Sequence, residues 1–423
     1  MIKFLLKGLL RDPNRSLFPL IVVALGVMIT VFMQAYVGGV MGESLEKNAA
    51  FNTGHLCVET RGYSANKSQM PLDFALIDVN MLKTSLQQQY PQCIWTERIF
   101  FSSILDVPDS LGNTLVQGNV KGMAFNLINS NEEINRMELH SLLKKGRFPE
   151  KRGETLISDE LFTKMCLNIN DTITLISTTM YGELSMYNLS VAGTLHFGVN
   201  VLDKSMIMVD LNDAQEALNM EDAANQILGF LGNSTYDNRK AGKIVSDFNK
   251  RYARQPGQFT PVMSRLSNSN IAGMSYTTIN NLSNIIIIVF IFAMSIVLWN
   301  TGLISGLRRY GEFGLRLAIG ESKGEIYRSL IMETILVGIA GSAAGTALGL
   351  FFAWLLQTYG LDITNISKGS NLMISNIIRA KITPATLVIG FIPGLISTVV
   401  GALLAEAGIY KRQTAKLFKE LEN

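Results

Sequence analysis

Residues 308–320 read Arg308-Arg309-Tyr310-Gly311-Glu312-Phe313-Gly314-Leu315-Arg316-Leu317-Ala318-Ile319-Gly320. A polar turn at 321–324 follows, and then an apolar run that carries Glu333 and a series of small residues. A basic amphipathic segment that leads directly into a long apolar run is typical of a surface helix followed by a membrane-spanning helix. The stretch therefore predicts a segment with one end in water and the other in lipid.

The composition agrees with a chain that is only partly embedded in a membrane. Of the 423 residues, 48% are hydrophobic and 17% are charged. This balance is too apolar for an ordinary soluble protein and too polar for a chain that is wholly in lipid, so a few spans and a soluble domain are expected. The net charge of +3 does not indicate a partner, and no nucleic-acid partner is predicted.

Four apolar runs have the length of roughly 20 residues that is needed to cross the hydrocarbon core. They are residues 17–40, 282–305, 330–357 and 386–408. A signal peptide is the alternative for the first run, but its apolar region would be about 7 to 15 residues long and would end at a small-residue cleavage site. Because the run is longer and continues without a clean site, an uncleaved span is favoured.

Basic residues near the ends of these runs predict the orientation of the chain. They are Lys3, Lys7, Arg11 and Arg15 before the first run, Arg308, Arg309, Arg316, Lys323 and Arg328 between the second and third, and Lys411, Arg412, Lys416 and Lys419 after the fourth. Since Lys and Arg favour the cytoplasmic side, we expect residues 1–16, an amphipathic segment, the loop 306–329 and the tail 409–423 to be cytoplasmic. Residues 41–281 and the loop 358–385 are then expected on the opposite side.

Residues 41–281 have the pattern of a soluble α+β domain. Period-2 alternation predicts strands, and helical spacing predicts helices. The predicted strands are 56–60, 93–107, 114–121, 154–158, 171–177, 189–195, 205–209, 226–231 and 259–264, and the predicted helices are 75–89, 138–145, 159–166 and 238–252. The first and third blocks of this domain have similar patterns, which predicts that they pack together with the middle block inserted between them.

No motif for catalysis or for a bound cofactor is present. The chain has no G-x-x-x-x-G-K-[ST] phosphate loop, no G-x-S-x-G elbow and no H-E-x-x-H motif. Three cysteines at irregular spacing give no disulfide framework, and three scattered histidines give no metal-ligand spacing. The chain is therefore predicted to be a non-enzyme without a metal or cofactor of its own, so any ATP-derived energy has to come from another protein.

A ladder of small residues predicts the packing face of the third span. Gly338, Gly341, Gly345 and Gly349 repeat every three or four residues, with Ser342 beside the second. Small side chains at this spacing allow a close helix–helix approach, although glycine is also generally common in membrane helices. Glu333 is expected at the membrane interface, near Arg328 or near the preceding helix. The alternative of a proton relay lacks a second acidic residue at depth.

At these residues the chain resembles the FtsX-like permease family, the membrane subunits of MacB-type (type VII) ABC transporters. The positions that fall on the family pattern are Arg309, Glu312, Phe313, Gly314, Leu315, Arg316, Ala318, Gly320, Ile326, Glu333, Gly341, Gly345 and Gly349. Residues 145–148, 154–158, 167–174 and 191–193 resemble the periplasmic core of the same family. Asn170 stands where that core usually has glycine, a change that is tolerated in a left-handed turn.

The resemblance implies a membrane protein with four transmembrane α-helices and a large extracytoplasmic α+β domain, a MacB-like periplasmic core with two βαβ-type halves and an inserted, mostly β subdomain. It implies a bacterial inner-membrane location with both termini cytoplasmic. It also implies a cytoplasmic ABC ATPase partner that carries ATP and Mg, docked on a coupling helix at 317–328. The implied coupling residues are Arg309, Glu312, Gly314, Arg316, Ala318, Gly320, Lys323, Ile326 and Arg328.

Further partners implied by the resemblance are a second permease, identical or paralogous, membrane lipids and a periplasmic acceptor. The expected function is mechanotransmission, in which ATP hydrolysis in the cytoplasm moves the periplasmic domain. Residues 7–12 and 53–55 are similar to the lipoprotein-releasing (Lol-type) permeases, which favours lipoprotein release from the inner membrane. Efflux of drugs or peptides, regulation of a cell-wall hydrolase by an FtsX-like scaffold, and sensing without transport remain alternatives. The outer domain of the hydrolase regulators is usually much smaller than 41–281.

Overall fold

The computed structural model describes residues 13–109, 111–128, 130–232, 236–255, 257–268, 310–362 and 377–410, with further residues between 285 and 300. The chain divides into two compact units. The first comprises Met1–Gly42, Thr278–Asp362 and Ile377–Asn423, and the second comprises Glu43–Thr277 and Ile363–Asn376.

The helices and strands are numbered here in chain order. The helices are α1 (Pro13–Asn48), α2 (Arg61–Asn66), α3 (Val79–Gln89), α4 (Asn131–Arg136), α5 (Leu139–Leu142), α6 (Asp159–Lys164), α7 (Asn200–Asp203), α8 (Leu211–Ala217), α9 (Asn238–Tyr252), α10 (Tyr310–Ala318), α11 (Lys323–Tyr359) and α12 (Pro384–Tyr410). The strands are β1 (Leu56–Thr60), β2 (Cys93–Pro108), β3 (Thr114–Phe125), β4 (Leu143–Gly146), β5 (Glu154–Ser158), β6 (Thr172–Thr178), β7 (Leu184–Leu195), β8 (Met206–Asp210), β9 (Gln226–Leu231), β10 (Pro261–Arg265), β11 (Leu361–Asp362) and β12 (Ile377–Ile378).

The first unit contains long apolar helices. Among the residues that the structure describes, two helical runs, Leu17–Thr53 and Lys323–Tyr359, are long and apolar enough to cross a membrane. They include the predicted spans 17–40 and 330–357, and α12 includes the predicted span 386–408. Proline at the first position of α12 suits its start, because proline has no N–H to leave unpaired there.

Several predicted segments of the membrane part lie outside the described residues. For the predicted span 282–305, the described residues between 285 and 300 are helical and the others are not described. Most of the amphipathic segment 1–16, the central part of the loop 358–385 and most of the tail 409–423 also lie outside.

The helix that holds the third predicted span begins earlier than the sequence pattern indicates. α11 starts at Lys323 rather than at residue 330 and has 37 residues, which corresponds to about 55 Å of helix. The single coupling helix predicted at 317–328 is wrong, because a turn separates the end of α10 from the start of α11. The reason is local: Gly320 adopts a left-handed conformation that ends the first helix, and Ser322 caps the second.

The second unit is built on one sheet with the order β10-β1-β9-β2-β3-β8-β5-β7-β4, and β6 pairs with β2 and β7. The long strand β2 links the two halves of this sheet. Its first six residues, Cys93–Arg98, pair with β9, whereas the rest pairs with β3. Strands β1, β5, β8 and β9 are buried along their whole length, so their polar residues, such as Glu59 and Glu154, are buried as well.

Strands from the first and third blocks of the sequence pair directly. β1 lies between β9 and β10 and is antiparallel to both. The side chains that face the helices form a large core that includes Trp95 from β2, Leu86 from α3 and Phe248 from α9. Pairing of distant strands and burial of this core give the unit its stability, since hydrophobic burial is the main favourable term in folding.

The sequence pattern misses some short elements of this unit. The helix predicted at 138–145 is wrong: only Leu139–Leu142 is helical, and Leu143–Gly146 forms β4, which pairs with β7. The unpredicted helices α4 and α8 start at N-caps, Ser130 and Asp210, whose side chains accept backbone N–H bonds. Asn170 has φ of +72°, as expected for an asparagine at a glycine position.

Candidate coupling and helix-packing site

The turn between α10 and α11 is closed by hydrogen bonds at both of its ends. α10 ends in a Schellman motif, in which Glu321 N donates to Arg316 O at 3.1 Å and Gly320 N to Leu317 O at 3.1 Å. Gly320 occupies the left-handed position with φ of +100°, where a β-carbon is strained. The glycine thus has a backbone role in this turn.

A salt bridge spans the same turn. Arg316 Nε lies 2.6 Å from Glu321 Oε2, and Nη2 lies 2.7 Å from Oε1, so the pair is bidentate. At the end of the turn where α11 begins, Ser322 Oγ accepts from Glu325 N at 3.3 Å and Glu325 Oε2 accepts from Ser322 N at 3.0 Å. These two bonds form a capping box. These bonds define the angle at which the chain leaves α10 and enters α11.

An exposed apolar pair lies on α10 beside this turn. Leu315 and Ile319 are 64% and 78% exposed, respectively. Residues four apart lie on one face of a helix, so the two side chains form a continuous apolar surface with exposed Ala318 between them in sequence. Sequence reasoning did not select either residue as a site. The four-residue spacing of Leu315 and Ile319 was the signal that the sequence offered.

The other predicted coupling residues have different environments. Gly314 and Ile326 are buried, whereas Lys323 and Arg328 are exposed on the first turns of α11. Glu312 lies in α10, but its side chain is not among the described parts of the chain. Arg309 lies wholly outside the described residues. The structure therefore brings together Arg316, Gly320 and Lys323 around one turn, and the coupling role of each of the nine predicted residues stays a prediction.

The glycine ladder of α11 lies against α1. A β-carbon built on Gly341 would lie 2.9 Å from Val23 Cβ. One on Gly345 would lie 2.4 Å from Ala24 O, and one on Gly349 would lie 2.7 Å from Val31 Cβ. Each of these distances is shorter than ordinary van der Waals contact, so the two backbones approach closely because these residues have no side chain.

Three valines of α1 fill the groove that the glycines leave. Val23, Val27 and Val31 repeat every four residues and are 0%, 3% and 0% exposed. Two of them, Val27 and Val31, also contact α12, since a β-carbon on Gly394 would lie 2.5 Å from Val27 Cγ2 and one on Gly390 would lie 2.4 Å from Val31 Cγ2. Sequence reasoning missed these partners, although valine at every fourth position of an uncharged run was a visible signal.

Two further predicted site residues of α11 are Gly338 and Glu333. Gly338 faces α12, where its β-carbon would lie 2.4 Å from Thr398 Oγ1. Glu333 is half-buried within α11.

Among the described residues, no group of three or more His, Cys, Asp or Glu side chains could hold a metal ion.

Comparison with known proteins gives matches to one family of membrane proteins. Residues 284–414 match the family described as FtsX-like permease C-terminal. A macrolide export ATP-binding/permease protein MacB of Salmonella typhimurium is 33% identical over 60 residues, which is 14% of this chain and 9% of the relative. MacB 1/2 of Paracoccus denitrificans is 35% identical over 65 residues, which is 15% of this chain and 10% of that protein.

This chain thus aligns with only about a tenth of the length of these relatives. A solved structure is also similar, the periplasmic region of MacB from Actinobacillus actinomycetemcomitans. The alignment covers 55% of this chain and 96% of the MacB chain, with 12% sequence identity and a TM-score of 0.35.

Proposed function

We propose that this FtsX-like permease of the MacB type, identified by its domain at residues 284–414, is the membrane subunit of an ABC transporter whose ATPase is a separate protein. The observation that carries the proposal is the exposed apolar pair Leu315 and Ile319 beside the closed turn before α11. Apolar residues exposed next to charged ones are typical of a protein–protein contact. ATP and Mg would be bound by the ATPase, and this chain needs no cofactor.

The geometry of the turn supports mechanical transmission. A push on α10 passes to α11 because the Schellman motif, the Arg316–Glu321 salt bridge and the capping box leave few free torsions between the two helices. It then passes from α11 to α1 because their backbones are in contact at Gly341, Gly345 and Gly349. Well-packed contacts of this kind transmit displacement rather than absorb it.

We assign the chain to the bacterial inner membrane, with four spans, cytoplasmic termini and residues 41–281 in the periplasm. The positive-inside pattern supports this orientation. A second permease, identical or paralogous, and membrane lipids would complete the membrane part of the complex, and the glycine-lined helices would then move relative to the second copy during the ATPase cycle.

The proposed substrate is a lipoprotein that leaves the inner membrane for a periplasmic acceptor. The sequence of residues 7–12 and 53–55 supports this choice over other substrates of the family. Export of small molecules is the second candidate, and it is favoured by the names of the relatives, which are macrolide exporters.

Reconstitution distinguishes the two candidates. Permease, ATPase and a fluorescently labelled lipoprotein are placed in liposomes, and release to a soluble acceptor is followed with ATP and with a non-hydrolysable analogue. The proposal expects release only with ATP and accumulation of lipoproteins in the inner membrane when the permease is depleted. Normal lipoprotein localisation after depletion, together with increased macrolide sensitivity, would instead establish the export function.

A further inference from the structure

The helical run that begins with α1 ends in the second unit, in a π-helical turn at Ala49–Thr53. The last four carbonyl groups of a helix have no donor within it. Gly54 N bonds to Ala49 O at 2.8 Å. For the next two carbonyls the donor is a side chain of β2: Arg98 Nη1 lies 2.6 Å from Ala50 O and 3.0 Å from Phe51 O. Arg98 therefore caps this helix end from the central sheet.

Arg98 is fully buried, with 0% of its surface exposed. A buried cation is stable only with hydrogen-bonded partners of opposite charge. Arg98 Nη2 donates to the Glu133 carboxylate of α4, which also accepts from Arg136. The partial negative charge at a helix C-terminus adds to the attraction for the Arg98 guanidinium. The carbonyl groups and the carboxylate together account for the position of this arginine.

A second set of contacts holds the same helix end. His55 Nδ1 accepts from Leu231 N at 3.1 Å, so its Nε2 carries the proton and donates to Glu46 Oε2 at 2.9 Å. The other oxygen of Glu46 accepts from Tyr236 N at 2.7 Å. On the apolar side, Leu45 and Ala49 cluster with Leu266, the residue that directly follows β10.

We propose that Arg98 is the positioning residue that makes the central sheet follow displacement of the helix from the first span. The proposal rests on the proposed mechanotransmission. Arg98 joins the backbone of the helix end to a strand that pairs in both halves of the sheet, so this side chain links motion along the helix to both halves, whereas the contacts of Glu46 and His55 reach only the end of β9 and the residues after it. A buried ion pair with only a structural role would stabilise the unit without affecting the link between ATP hydrolysis and transport.

The test compares Arg98→Lys, Arg98→Met and the matched control Arg152→Met in the full chain with its ATPase, in lipid nanodiscs. Lysine keeps the charge but has no guanidinium fork to join two carbonyl groups and a carboxylate. Arg152 also binds two carboxylates, those of Asp213 and Glu216, but it does not contact the helix end. Hydrogen exchange of the peptide 45–54 is measured together with ATP hydrolysis and release of the fluorescently labelled lipoprotein.

Both Arg98 variants are expected to increase exchange in 45–54 by about tenfold and to reduce release per ATP hydrolysed by a similar factor. ATP hydrolysis itself and the control variant should stay near wild type. Unchanged exchange in folded Arg98→Lys would overturn the anchor, and unchanged release per ATP despite faster exchange would overturn the positioning role. If Arg98→Met does not fold, Arg98→Lys decides.

Failure of the proposed function has a different signature. If no ATPase associates with the wild-type chain, the transport role is lost for every variant, and the positioning role is overturned with it. The exchange measurement still decides whether Arg98 holds the helix end.

Discussion

Gly345 of α11 lies so close to Ala24 of α1 that a β-carbon on the glycine would be 2.4 Å from the alanine carbonyl oxygen. The neighbouring contacts at Gly341 and Gly349 are almost as short. In lipid, where hydrophobic burial does not drive helix association, close backbone packing of this kind is a main source of stability. The ladder therefore accounts for how the first and third predicted spans are held together.

Substitution of Gly345 tests this packing. Gly345→Leu has no space against the α1 backbone and is expected to destabilise the helix pair by roughly 3 kcal/mol or more. Ala344→Leu is the matched control, because Ala344 is the adjacent residue and is exposed. The apparent melting temperature in detergent should fall strongly for the first variant and little for the second. Equal melting temperatures would mean that α1 and α11 are not packed in this way.

The turn before α11 is tested at Gly320. Gly320→Ala puts a β-carbon on a residue with φ of +100°, at a cost of about 1–2 kcal/mol. We expect lower melting temperature and weaker coupling of ATP hydrolysis to release. Gly324→Ala serves as the control, since Gly324 is helical and a β-carbon there meets nothing within 4 Å. A Gly320→Ala variant with wild-type coupling would show that the geometry of the turn is unimportant.

The second unit has a pH-dependent ion pair at Glu154. Arg147 donates two hydrogen bonds to this buried carboxylate, at 2.8 and 2.6 Å, and lowers the pKa of Glu154 from an ordinary 4.5 to about 2. A folded-state pKa below the unfolded value contributes stability above pH 4.5, and this contribution is lost as the pH falls toward 2.

Arg147→Met should therefore lower the free energy of unfolding at pH 7, because it removes both hydrogen bonds that hold Glu154 in its ionised form. Thermal melting of the full chain, compared between wild type and variant, measures the difference. The gap between wild type and variant should shrink as the pH falls from 4.5 toward 2. A gap that stays constant with pH would exclude Glu154 as its source.

Much of the second unit follows from its sequence pattern. The strands Leu56–Thr60, Glu154–Ser158 and Gln226–Leu231 and the helix Asn238–Tyr252 have the bounds that periodicity predicts. Each is either a strand buried along its whole length or a strongly amphipathic helix, so local pattern and tertiary environment agree. The resemblance to FtsX-like permeases of the MacB type is confirmed, whereas the closeness to lipoprotein-releasing permeases stays a prediction.

Other features depend on contacts that a local pattern does not contain. Leu143–Gly146 has helical spacing but forms a strand because β7 offers a partner, and such tertiary pairing overrides propensity. The glycines of α11 could be recognised as a packing face, and Val23, Val27 and Val31 are visible as a repeat, but nothing local pairs the two sets, since they are some 300 residues apart in sequence. The exposure of Leu315 and Ile319 likewise becomes evident only in three dimensions.

Coupling of this chain to a separate ATPase through Leu315 and Ile319 of α10 is tested by affinity purification of the tagged chain from native membranes, followed by identification of bound proteins and an ATPase assay. The variant Leu315→Asp/Ile319→Asp places two charges on the proposed contact. Leu111→Asp, at an 87% exposed leucine of the second unit, is the matched control.

Wild type and control are expected to retain an ABC ATPase with ATP hydrolysis, whereas the double variant is expected to lose both. Purification of the wild-type chain without an ATPase, or full retention of the ATPase by the double variant, would overturn the proposed coupling.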